Sequence, residues 1–266
     1  MNGTSSNLLE LQEHCAILSS TLAHLHQEDG TTFSRLGEIL DFSHAAEWLE
    51  LAAGVTKVEV VTARFDDTVM YCESALEYEN ARSELYSRIV TQLTIFQFAW
   101  GAFETTAKIA NPLSIPASFR HRGANGLMDR IIFFLRNTPT TPTYQDCLNE
   151  LRRFFRPGTV FAGLSSEPLL RHMGPSGVGI NVVRRIRNRL AHGVGRIPGP
   201  DGWGNGKSRD PEIIALSTRI TLLTIQMILG TRFNERHFPI EVLRDADGEL
   251  VEEDFHLVLS KLHLKH

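Results

Sequence analysis

Seven apolar side chains set the main constraint on this chain. Leu85, Ile89, Leu93, Phe96, Trp100, Phe103 and Ala107 recur at spacings of four, four, three, four, three and four. That rhythm keeps one face of a helix apolar over many turns. It predicts a long helix from Glu77 to Ile109. Asn111-Pro112 ends it, because proline lacks the amide proton and disfavours helix in the residue before it. A helix this long with one apolar face needs other helices to cover it, which directs the reading towards an all-α fold.

The rest of the chain agrees. Asp210-Pro211 combines an N-cap residue with proline at the first helical position. Ile213, Leu216, Ile220, Leu223 and Met227 then point inward, with Gly230 as the expected terminator. Shorter helices are predicted at 7–27, 34–53, 125–137 and 143–155. The β-branched run Lys57–Thr62 suggests a strand. Ile240–Leu262, with Asp247-Gly248 as a turn, suggests a hairpin leading into a helix.

We divide the chain into an N-terminal helical extension (1–76), a helical core (77–232) and a C-terminal extension (233–266). The 42% hydrophobic and 22% charged content is that of a globular protein, and no apolar run reads as long enough to cross a bilayer. Residues 1–6 lack the features of a signal peptide. Cys15, Cys72 and Cys147 are odd in number and widely spaced, as suits reduced thiols in a cytoplasm. The net charge of −4 argues against a broadly basic nucleic-acid coat, while leaving room for a local basic site.

Such a site is offered by Arg187-Asn188-Arg189-Leu190-Ala191-His192, at the end of a helix predicted from Gly179 to His192 with Gly193 just beyond. Counting from Ile180, Val183, Ile186 and Leu190 fall at about 300°, 240° and 280° around the axis. Arg187 falls at about 340°, inside this apolar stripe, whereas Arg185 and Arg189 fall at about 140° and 180°, on the polar side. An arginine on a buried face needs a partner, a ligand or a route to water. Glu104 on the long helix is a candidate partner. His192 lies at about 120°, so an ideal helix points it away from Arg187. Either the helix unwinds at Ala191–Gly193, or the pair forms across a second subunit. Taken alone, a histidine before a helix-terminal glycine is simply a favourable cation on the helix dipole.

Arg-Asn-x-x-x-His in an all-α chain resembles the signature of the HEPN superfamily. Upstream, Phe98-Ala99-Trp100-Gly101-Ala102-Phe103-Glu104 is similar to the aromatic, glutamate-bearing helix of its Apea-like members. The resemblance covers roughly residues 77–232. It implies a HEPN-like helical bundle that cuts RNA without metal or other cofactor, works as a homodimer, and serves as a toxin or antiviral effector. An antitoxin or regulatory protein would then be a partner, and a membrane would not. Cleavage through the 2′-hydroxyl needs a base, an acid and a cation for the phosphorane-like transition state. Histidine can fill either proton role, and arginine's planar fork suits phosphate.

On this reading Arg187, Asn188 and His192 are catalytic and Glu104 supports them. Arg184, Arg185, Arg189 and Arg196, with Arg152, Arg153 and Arg156, would contact the RNA backbone. A second histidine would come from the second copy. The alternative is a non-catalytic HEPN module that binds RNA, a nucleotide or a partner protein, and a helical protein with an accidental motif is the third reading.

Competing motifs are weaker. Gly202–Ser208 resembles a phosphate loop, but Asp201 stands where its first glycine belongs and no apolar strand precedes it. His24 and His26 are badly spaced for a helical metal pair. Gly174-Pro175-Ser176-Gly177 brings its second glycine one position early for a nucleophile elbow. The carboxylates on 73–84 read as a solvated face. Gly193–Lys207, with six glycines and two prolines, is a loop that could serve as an active-site flap or as a plain connector.

Overall fold

The computed structural model describes residues 7–28, 41–65, 71–110, 123–155, 173–193, 197–203, 207–233, 239–243 and 250–265. Two long helices organise them. α3 (Glu73–Ile109) carries the expected stripe, and α7 (Asp210–Arg232) lies against it. Before them come α1 (Leu11–Glu28) and α2 (Ser43–Gly54), where α1 packs on α2 and α2 on α3. α4 (Gly123–Leu135), α5 (Pro142–Arg153) and α6 (Gly174–Ala191) complete the bundle around α7. A hairpin of β1 (Pro239–Leu243) and β2 (Leu250–Asp254) pairs antiparallel with Val242 opposite Val251 and leads into α8 (Phe255–Lys261). The fold is all-α with one small hairpin. The expected Asp247-Gly248 turn lies outside the described residues.

Apolar side chains from α1, α2 and α8 join those of α3 to α7 in one contiguous core. α7 is buried almost all round. Contrary to the sequence expectation, it is long and apolar enough to cross a membrane, but 83% of its apolar window is buried within the protein. A helix apolar on every side is what the middle of a bundle requires. Its hydroxyls are satisfied internally: Ser217, Thr218, Thr221 and Thr224 each donate to the carbonyl four residues back. Gly230 does not end α7, which runs on to Arg232. Gly230 does not adopt the left-handed conformation that would stop the helix.

The segment predicted as a strand is extended but joins no sheet. Its amides at Val58, Val60 and Thr62 donate instead to Thr91 Oγ1, Ser87 Oγ and Ser83 Oγ on α3, at 2.9, 2.9 and 3.1 Å. Hydroxyls spaced four apart on the helix thus take the place of a neighbouring strand.

Candidate functional site

The first half of α6 is fixed by close backbone approach. Tyr144 of α5, fully buried, donates its hydroxyl to the Ser176 carbonyl at 2.6 Å. Its ring crosses α6 so tightly that a Cβ on Gly179 would stand 2.1 Å from the Tyr144 oxygen. Ser176 is a buried helical residue whose hydroxyl donates to the Thr138 carbonyl at 2.7 Å, so it is committed to packing.

The second half of α6 carries the motif. Val183 and Ile186 are fully buried, and Leu190 packs on the core from a half-buried position. The helix stays regular through Ala191, and His192 is its C-cap. Gly193 then takes φ +62°, the left-handed value that stops a helix, and its amide donates to the Leu190 carbonyl at 3.2 Å. Of the two routes by which Arg187 could meet His192, unwinding is therefore not taken. Five helical positions separate them by about 140° around the axis and about 7.5 Å along it.

Arg187 is half-buried, and its Nε is buried with no hydrogen-bond partner. Arg189 behaves the same way, which corrects the helical-wheel distinction between them. A long arginine stem can bury its Nε even from the polar side of a helix. Asn188 and His192 are exposed. Arg184 donates to Asn181 Oδ1 at 2.8 Å and stands 4.0 Å from Asp129. Arg185 is half-buried and has partners of its own. Glu104 does not pair with Arg187; it accepts the Trp100 indole N–H at 2.7 Å, one turn away on α3. Arg152 and Arg153 end α5, and Arg196 and Arg156 lie outside the described residues.

The described part of the glycine-rich loop is tied down. Asp201 accepts from Arg88 of α3 at 2.8 Å and from the Ser208 amide at 2.6 Å, and Trp203 meets Tyr78 edge-on at 5.4 Å. This stretch straps the end of α6 to the outer half of α3.

A second cluster was not foreseen. Arg219 of α7 donates to the Leu9 carbonyl and, at 3.1 Å, to His14 Nδ1. A guanidinium can only donate, so Nδ1 accepts and the His14 proton sits on Nε2. Nε2 donates to Gln226 Oε1 at 3.1 Å, and the Gln226 amide donates to the Leu259 carbonyl at 2.6 Å. His263 lies alongside, its ring centroid 6.1 Å from that of His14. Burial, with Arg219 and His263 nearby, holds His14 well below the usual histidine range. Burial and Arg219 bring His263 down to about 4. Burial also pushes the adjacent thiols up, Cys15 to about 12 and Cys147 to about 11, so both are inert. The bonds that join α7 to Leu9 and His14 span more than two hundred residues of chain, and no local pattern announces them.

Together these features define an all-α protein whose central bundle presents a cationic helix end. No protein-family model, curated protein or solved structure matches the chain.

Proposed function

We propose that this chain is an endoribonuclease of the HEPN type, cutting RNA through its own 2′-hydroxyl without a metal. The observation that supports it most is the end of α6. Two arginines there hold buried Nε groups with no partner, next to exposed Asn188 and His192. Desolvated cationic donors without an acceptor are costly, and a phosphodiester supplies a pair of anionic oxygens that fits a guanidinium fork. His192, exposed at the cap, is free to exchange protons with a substrate. In this reading Arg187 holds the scissile phosphate, His192 moves the proton, Asn188 orients one or the other, and Arg189, on the opposite side of the helix, meets a neighbouring stretch of the RNA backbone.

Because Arg187 and His192 diverge within one chain, the reaction needs two copies, each lending a histidine. The homodimer is thus part of the proposal, as are a role as toxin or antiviral effector, a regulatory or antitoxin partner and a cytoplasmic setting. Incubation of the protein with RNA in EDTA is expected to yield ends bearing 2′,3′-cyclic phosphate, with DNA spared. His192→Ala is expected to abolish the products, and cleavage that persists in this variant sinks the assignment.

The same divergence, with Glu104 held by Trp100, favours a second reading: a module that binds RNA without cutting it. That reading predicts retention of RNA on a filter with no turnover, lost in Arg187→Ala.

A further inference from the structure

Arg219 is 9% exposed, yet both groups it bonds are neutral, and among the described residues no carboxylate stands within ion-pair distance; Glu10, which also borders the cavity, acts on it only from farther off. A buried arginine is costly without an anion. Two bonds use only part of its five-donor fork. The guanidinium lines a cavity of about 290 Å³, alongside Thr143 and Cys147.

Glu212 borders the same cavity from the same face of α7, two turns earlier and about 10 Å along the axis. Its Oε1 faces Lys207 and Arg209 at 3.7 and 3.8 Å, whereas its Oε2 is buried and accepts no hydrogen bond. Asp146 and Glu150, one turn apart on α5, add carboxylates to the lining. The cavity therefore presents two groups of opposite sign: a guanidinium with no anion within hydrogen-bonding distance, and a desolvated carboxylate oxygen that lacks a donor. A simple anion would meet the carboxylates, and a simple cation would meet Arg219. A molecule carrying both charges satisfies each.

We propose that this cavity binds an amino-acid-sized zwitterion, with its carboxylate on Arg219 and its ammonium on Glu212 and the neighbouring acids of α5. The site is prepared in advance, because the chain from Leu259 through Gln226 and His14 fixes the guanidinium before any ligand arrives. It lies apart from the α6 motif and stands or falls independently of the ribonuclease reading.

The test is calorimetric titration and thermal unfolding of the full chain with glycine, alanine, β-alanine and γ-aminobutyrate. At least one should bind saturably and raise the melting temperature. Its N-acetyl form and its amide, each missing one charge, should bind at least about tenfold more weakly. Glu212→Gln, at a partly exposed position where the fold is expected to survive, should weaken the zwitterion by a similar factor and leave the N-acetyl form unchanged. The proposal is overturned if no zwitterion binds below about 10 mM, if either singly charged form binds as well as its parent, or if Glu212→Gln has no effect. Acetate or phosphate binding as tightly as the zwitterion would overturn it too, and mark a plain anion site.

Discussion

Arg219 and the pair Arg187 and Arg189 show two ways of keeping a cation partly out of water. Arg219 is held by a carbonyl and by an imidazole compelled to stay neutral, within a chain of bonds whose every direction is set. The pair at the end of α6 has no such support: each Nε is buried and unpartnered. The first arrangement ties α1 to α7 and belongs to the fold. The second costs stability without joining anything, the pattern expected where a fold leaves room for a ligand.

Acid should break the first arrangement. His263 binds its proton with a value of about 4 when folded, against 6.5 when unfolded. As pH falls from about 6.5, the unfolded chain takes up this proton first, so stability is complete above that value and is lost down to about pH 4. From His263 alone the loss is about 3 kcal/mol, and His14 adds in the same direction. Urea unfolding at pH 7 and pH 4 measures it. A flat profile would mean that the histidines are not held neutral, and the contrast with Arg187 would fail.

The helix carrying the unsupported pair is anchored at Gly179. Replacing Gly179 with Ala puts a carbon against a Tyr144 oxygen that is already fixed by Ser176. We expect a loss of about 3 kcal/mol, read from the urea midpoint. A loss below about 1 kcal/mol would show that the α5–α6 contact yields and that the motif is less firmly placed than its distances suggest.

The smallest effect on stability is expected where the arginines have no partners. Arg187→Met with Arg189→Met should leave the unfolding free energy unchanged or raise it by about 1 kcal/mol, while filter binding of RNA collapses. A drop of about 2 kcal/mol or more would make the pair structural after all.

Repetitive, local features were legible in the sequence. The stripe on α3, the proline in the first turn of α7, the end of α6 at His192–Gly193 and the two strands before α8 follow from period and local chemistry, although the N-cap of α7 is Arg209 and the expected cap residue Asp210 is already helical. Where packing decides, the reading went astray. Gly230 has the chemistry of a terminator, yet its backbone does not take the left-handed conformation and the helix continues two residues beyond it. Lys57–Thr62 has the composition of a strand but finds hydroxyls rather than a sheet. Arg189 sits on the polar side by angle, but the length of its side chain matters more. The Arg219 network, which joins residues from both ends of the chain, has no local signature at all.

The hydroxyl ladder beneath Val58, Val60 and Thr62 carries a metrical limit. Two extended residues advance about 6.6 Å, while four helical residues advance about 6.0 Å. The two rulings drift apart by about 0.6 Å per rung, like the scales of a vernier. Three rungs accumulate about 1.2 Å, which small tilts of the segment can absorb; a fourth or fifth would carry donor and acceptor out of bonding range. The segment can therefore grip α3 over only this length, so a single residue inserted between Val58 and Val60 should break the alternation and release one end of the ladder, whereas one inserted before Val58 should leave it in place.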